Sequence, residues 1–234
     1  MKKKINSSSK RMAMCAGAVV AANAMMLNSA DAATIAWGSS SVFDDATDVI
    51  DNGNVVEAVS HSAATVNGVS FTADTTIGDF NTGSDYADGF FMGTTGDAGF
   101  DALVGNQSYE NTGDLVTTIT LTGLTLGTDY TFQFFIVDDR SAAIAGRSVV
   151  LGDLDGGTAS AAVNRGIAGA FAGGNTITGA FEGDADGIQE ITFTTTDGNG
   201  ALTGYVLSSV PVPEPSSTAL LGLGGLALIL RRRK

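Results

Sequence analysis

Two short runs in this 234-residue chain set carboxylates where they could share a cation. Asp153-Leu154-Asp155-Gly156 and Asp184-Ala185-Asp186-Gly187 each place two acids one residue apart before a turn glycine. That spacing can aim oxygens at one hard ion, and calcium is the metal to consider. The same residues also make good turns with no metal at all, so both readings stand. Neither run is an EF-hand, because counting from Glu182 puts Phe193 at position twelve, where a bidentate carboxylate belongs. Asp44, Asp45, Asp48 and Asp51 form a third acidic group with the same two readings. A separate constellation, Asp138-Asp139-Arg140 with Arg147 nearby, has the groups to grip vicinal sugar hydroxyls by fork-like hydrogen bonds. Its plainer role is a salt bridge that closes the loop between them.

Hydrolytic chemistry lacks most of its parts. His61 is the only histidine, Cys15 the only cysteine, and no Gly-x-Ser-x-Gly or His-Glu-x-x-His run exists. Carboxylates are abundant enough for the pair a glycosidase places about 5–10 Å apart, which leaves glycan hydrolysis as a remote alternative. Trp37 is the one tryptophan available as a sugar platform. The chain reads as a non-enzyme.

The most informative chemistry lies at the ends. Val212-Pro213-Glu214-Pro215 is followed by an uncharged run from Ser216 to Leu230 and by Arg231-Arg232-Arg233-Lys234. The prolines keep the first part extended. The apolar run partitions into lipid as a C-terminal hydrophobic helix, and the four cations resist translocation. Fifteen residues make a helix of about 22 Å against a bilayer core of about 30 Å. A plain C-terminal membrane anchor is the alternative, but so short a glycine-interrupted segment suits temporary residence better. This ending resembles the PEP-CTERM sorting signal of exopolysaccharide-producing Gram-negative bacteria. The resemblance implies that a membrane-embedded exosortase recognises the Pro-Glu-Pro stretch and removes the tail. At the other end, Lys2, Lys3, Lys4, Lys10 and Arg11 precede an apolar stretch from Met12 to Leu27. Ala30-Asp31-Ala32 then supplies the small residues a signal peptidase needs, with cleavage after Ala32. Export machinery, signal peptidase and exosortase are therefore the expected partners. The expected organisation is a signal peptide at 1–32, a β-sandwich at 33–209 and a sorting signal at 210–234.

Between those ends only Arg140, Arg147 and Arg165 remain of 12 Lys+Arg, against 23 of the 25 Asp+Glu. A body near −20 repels nucleic acid and anionic membrane surfaces. With no cysteine it has no disulfide, so its core must hold it together.

The elements that must position these groups are strands. Thr117–Thr122 and Tyr130–Val137 alternate polar and apolar residues, with Phe132, Phe134 and Ile136 on one face. Further strands are expected at Thr34–Trp37, Val55–His61, Thr65–Thr72, Arg147–Leu151, Thr176–Phe181, Gln189–Thr195 and Leu202–Val210. The last two flank Asp197-Gly198-Asn199-Gly200, a hairpin signal. One short helix is expected around Asp97–Gly105, with Phe100, Leu103 and Val104 inward. Many short strands with Gly- and Asp-rich turns predict an all-β antiparallel sandwich, a jelly roll.

Thr65-Val66-Asn67-Gly68-Val69-Ser70-Phe71 and the stretch from Leu121 to Arg140 resemble a recurrent exported bacterial jelly-roll domain. That domain is similar in outline to galactose-binding-like modules, many of which hold sugars or a structural calcium. Two functions follow as expectations. One is a non-catalytic surface or extracellular-matrix protein, and the other is a lectin-like module that binds exopolysaccharide, with calcium as its conceivable cofactor.

Overall fold

Alternation becomes strand in this chain, and two facing sheets result. The computed structural model describes residues 33–52, 54–80, 94–109, 116–138, 147–166, 173–195 and 201–210, together with the backbone of 82–84. In chain order the strands are β1 (Ala36–Trp37), β2 (Ser41–Phe43), β3 (Val55–Ser60), β4 (Ala64–Val66), β5 (Val69–Ala73), β6 (Thr82–Ser84) and β7 (Gln107–Tyr109). They continue with β8 (Val116–Thr122), β9 (Asp129–Ile136), β10 (Ser148–Asp153), β11 (Val163–Asn164), β12 (Gly174–Glu182), β13 (Ile188–Thr195), β14 (Ala201–Leu202) and β15 (Gly204–Ser209).

Strands β3, β15, β9 and β12 lie side by side in one antiparallel sheet, and β8, β13, β10 and β11 in the other. The chain passes from sheet to sheet at β3 to β8, β8 to β9, β9 to β10, β11 to β12, β12 to β13 and β13 to β15. These eight strands form a jelly roll of two interlocked Greek keys. Beyond β12 the first sheet is extended by β1 and β2. Beyond β3 it gains β5, paired in parallel, and then β4.

The sandwich core lies between the sheets. Phe132, Phe134, Ile136, Ile177, Ile191, Phe193, Leu121 and Leu151 meet there, all at most 2% exposed. The insertion between β3 and β8 carries the helix α1 (Ala98–Val104). Asp97 caps it by accepting the Phe100 N–H at 2.9 Å, and Phe100, Leu103 and Val104 are buried as their helical spacing predicts. They pack with Phe43, Val69, Phe71 and Phe135 into a second core on the outer face of the large sheet. Only half of that outer face is covered in this way.

Two expectations are corrected. Thr65–Thr72 is two strands, because Asn67 and Gly68 both adopt positive φ (47° and 83°) and turn β4 into β5 as a hairpin. The segments flanking Asp197–Gly200 are no hairpin: β13 pairs with β8 and β10, whereas β15 pairs with β3 and β9 in the opposite sheet. Each of these strands has both hydrogen-bonding edges taken by neighbours in its own sheet, which leaves neither an edge for the other. The turn residues 197–200 lie outside the described residues. The expected strand Leu202–Val210 also breaks at Thr203, which separates β14 from β15.

Close packing makes one glycine indispensable. Gly179 faces Phe132 across β12 and β9, and a Cβ there would collide with the Phe132 ring. That ring is in turn met edge-on by Trp37, with centroids 5.5 Å apart. Gly179→Val is expected to overpack this layer and cost about 1–3 kcal/mol, read as a lower urea midpoint with an unchanged m-value.

Candidate functional site

The uncovered half of the large sheet's outer face forms a groove of about 440 Å³, within the range of about 300–1,000 Å³ usual for ligand sites. Strand register builds its floor. One row runs Ala36, Ala180, Thr131 and Ser208 across β1, β12, β9 and β15. The next row runs Thr178, Gln133 and Val206, with Gly38 held beside Thr178 by a backbone hydrogen bond of 2.8 Å. These positions face outward because they alternate with the core residues on the same strands.

Gln133 fixes the wall. It is only 3% exposed, accepts the Ile50 N–H at 2.9 Å and donates to the Asp48 carbonyl at 2.7 Å. Asn67 holds the same segment from behind by donating to the Val49 carbonyl at 2.8 Å. Ile50 and Asn52 thereby stand over β9, and the Asn52 amide reaches the Thr131 hydroxyl at 3.4 Å. Trp37 borders the other margin, half-buried, with its ring turned to the inner face of the sheet beside Phe132 and its indole N–H donated to Thr158 at 3.1 Å. Among the described residues no Asp, Glu, Lys or Arg lines this groove. Its lining offers hydroxyl and methyl groups, and its two amides, Asn52 and Gln133, are both engaged within the fold.

Trp37, singled out in the sequence as a sugar platform, borders the groove, whereas none of the described carboxylates or arginines singled out there lines it. Asp153 is 4% exposed, and its carboxylate accepts the N–H groups of Ile35 (3.0 Å) and Gly156 (2.8 Å) and the Gln189 amide (3.1 Å). Asp155 is exposed. The first candidate calcium pair is thus split between interior and solvent, and Asp153 instead ties the start of β1 to the end of β10. Asp184 and Asp186 do meet, by a side-chain hydrogen bond that holds Asp184 above the ordinary aspartate value. The same bond, reinforced by the Ile188 N–H, holds Asp186 below it. Two carboxylates supply only part of the six to eight oxygens calcium takes. Among the described residues no group of three or more His, Cys, Asp or Glu converges. In the third acidic group, Asp45 and Asp48 form a capping box around the 3₁₀ turn Ala46–Asp48. The Thr47 backbone and hydroxyl hydrogen bonds keep Asp45 below the ordinary value.

Asp138 is corrected as a ligand residue. It is fully buried and pairs with Arg165 at 3.0 Å, the two side chains being 0% and 3% exposed. The Asp138 N–H donates to the Arg165 carbonyl at 2.7 Å, and the Arg165 N–H to the Arg147 carbonyl at 2.9 Å. The partner of Asp138 therefore comes from the end of β11 rather than from the neighbouring loop. Arg147 contributes its backbone to this junction. Asp139 and Arg140 lie outside the described residues, as do Ala30, Ala32, Val212, Pro213, Glu214, Pro215 and Arg231 to Lys234. His61, 4% exposed, follows β3 into the interior, and its N–H donates to the Thr203 carbonyl at 3.2 Å.

Comparison with known families identifies a PEP-CTERM protein-sorting motif at residues 211–234. No curated protein matches the chain. The motif supports an exported, envelope-associated protein that an exosortase handles. The membrane segment expected there falls outside the described residues, and among those described no helix is long and apolar enough to cross a membrane.

The buried ion pair should be costly to break from one side. Asp138→Ala leaves the Arg165 charge in the interior and is expected to cost about 3–5 kcal/mol in urea unfolding. The double substitution Asp138→Leu with Arg165→Met should lose less. The surface pair gives an independent check by NMR carboxyl titration. Asp184 should release its proton above, and Asp186 below, the ordinary aspartate value, and Asp184→Ala should move Asp186 upward. Two superimposed titrations at the ordinary value would contradict the pairing.

Proposed function

We propose that the protein is a non-catalytic component of the cell surface or extracellular matrix, exported, freed of its tail by an exosortase and retained in the envelope polymer. The observation that carries this reading is the sorting motif at 211–234. The use of the body's carboxylates supports it. Asp45 and Asp97 cap helical turns, Asp153 joins strands and Asp138 braces a buried arginine. Each is already engaged by the fold in a way that leaves it poorly placed to move a proton for a substrate.

A second reading, a lectin-like module for exopolysaccharide, is favoured by the groove beside Trp37. The jelly-roll topology is compatible with a galactose-binding-like module, and nothing in the arrangement of Asp153 and Asp155 calls for calcium.

The primary reading is tested by expressing the full chain in an exosortase-containing Gram-negative host. The protein recovered from the envelope or medium is expected to lack Arg231–Lys234 by intact mass. Replacing Pro213, Glu214 and Pro215 by alanine should leave the tail attached and the protein membrane-associated. Recovery of the unaltered chain in the cytosol with its tail intact would overturn the proposal.

A further inference from the structure

Both ends of the folded body leave the sandwich on the same side. Register places Ala36 beside Ala180, Glu182 beside Asp129 and Ser209 beside Tyr130, so β1 starts where β12 ends, β9 starts and β15 ends. There Thr34 passes against Gly156, just beyond β10, and the Val210 N–H donates to the Asp129 carbonyl at 2.8 Å. The loops 123–128 and 183–187 close the same end and are joined by the Gly127 and Gly183 N–H groups, which donate to the Gly183 and Thr128 carbonyls. Three strand spacings of about 4.8 Å separate β1 from β15, so the two exits lie about 14 Å apart.

This end is also where apolar side chains meet solvent. Leu126 in the first loop is 67% exposed and Leu154 after β10 is 53% exposed, and Ile188 and Val210 are exposed at the same end. Leucines at loop tips add little to a core, and exposed apolar groups gathered at one end mark a contact surface. The chain beyond the fold says what that surface meets. Pro211-Val212-Pro213-Glu214-Pro215 spans about 16 Å as an extended spacer, and the uncharged run Ser216–Leu230 follows at once. On the other side, the apolar stretch that ends at Leu27 is joined to Thr34 by a link of similar length. Short tethers make contact with lipid an intramolecular event, which compensates for the weakness of a few leucines acting alone. Asp129, Asp155, Glu182 and Asp186 are exposed at this end too. They oppose entry into hydrocarbon and repel anionic headgroups, but they keep their water in a zwitterionic headgroup layer.

We infer that the end of the sandwich formed by loops 123–128, 154–157 and 183–187 is a lipid-facing surface. While the tail is attached, the body stands end-on, with Leu126 and Leu154 in the headgroup layer of a zwitterionic bilayer. The inference rests on the reading of residues 211–234 as a membrane-borne sorting signal, and it gives that signal's cargo an orientation. The pose holds the Pro-Glu-Pro stretch between the body and the bilayer, within reach of a membrane-embedded enzyme. Removal of the tail then also removes the tether that keeps so acidic a body beside lipid.

The body has no cysteine, so one introduced thiol carries a bimane label unambiguously once Cys15 is replaced by serine. The full chain is exported in a Gram-negative host without exosortase, so that its tail remains. It is then reconstituted into phosphatidylcholine vesicles bearing nitroxide headgroups. Bimane at Leu154→Cys is expected to be quenched. Bimane at Val116→Cys, equally exposed but about 20 Å along β8 from this end, is expected to stay bright. Adding Leu126→Glu to the Leu154→Cys chain should relieve the quenching with the circular dichroism spectrum unchanged, and so should exchanging phosphatidylcholine for phosphatidylglycerol. Equal quenching at both sites, quenching at neither, or quenching untouched by Leu126→Glu or by lipid charge would each overturn the assignment. Fractionation and intact mass separate the two levels. A chain that sits in the membrane by its tail yet shows no difference between the sites overturns the docking alone. A chain found soluble in the cytosol with both ends attached overturns the sorting reading beneath it.

Discussion

The interaction on which most of the structure depends is the packing of β9 on both its faces. Phe132, Phe134 and Ile136 enter the core between the sheets, where Phe134 meets Phe193 at 5.2 Å and Tyr205 at 5.6 Å between ring centroids. Phe135 and Val137 enter the core beneath α1, where Phe135 stacks on Phe43 at 4.6 Å. Full burial of a phenylalanine stabilises by about 1.5–3 kcal/mol, and this one strand provides three. A body without cysteine needs such a strand. Its two cores share β9 as a common wall together with β15 and β3, whose Val206 and Ala58 face the second core while Tyr205, Leu207 and Val59 face the first, so the insertion that carries α1 is coupled to the sandwich through three neighbouring strands.

The open half of the same sheet follows from where that second core ends. Toward the start of β9, Thr131 and Gln133 take the outward positions that Phe135 and Val137 occupy further along. Small polar side chains cannot form an apolar layer there. The segment 48–52 is held there by hydrogen bonds to Gln133 together with the burial of Val49 in the second core. Inward and outward positions on these strands also constrain one another. Gly179 leaves room for Phe132 on the inner face, while Thr178 and Ala180 on either side of it floor the groove on the outer face. Enlarging one layer disturbs the other.

Much of this was legible along the chain, and the limits are physical. A period of two marked β8 and β9, and the expected strands covered the rest except β2, β6, β7 and β11, while the spacing of Phe100, Leu103 and Val104 marked the helix together with its buried side. The hairpin read at Asp197–Gly200 failed because turn chemistry is local, whereas the choice of partner for β13 and β15 depends on which faces the whole sandwich must bury. The pairing of Asp138 with Arg165 spans 27 residues and exists only because β11 returns beside the end of β9, so Arg140 and Arg147 were the natural candidates by proximity. In Asp153-Leu154-Asp155 the alternation itself held the answer: neighbouring odd positions share a face only while the strand lasts, and β10 ends at Asp153. The groove had no local signal. Ala36, Ala180, Thr131 and Ser208 are unremarkable in sequence and become a row only through three separate registers.

The acidity of the body acts at the level of the whole surface. Strand β8 runs Val116–Thr122 without a charged residue and lies at the edge of its sheet, where among the described residues the Asp79 N–H caps the Thr118 carbonyl. Such an edge invites pairing with another copy, and many proteins blunt theirs with lysine. Here lysine is absent from the body, and the net charge near −20 keeps copies apart instead. That remedy has internal costs. Asp129 and Glu182 face each other across β9 and β12, an unfavourable cross-strand pair, and Asp184 retains its proton beside Asp186 above the ordinary value.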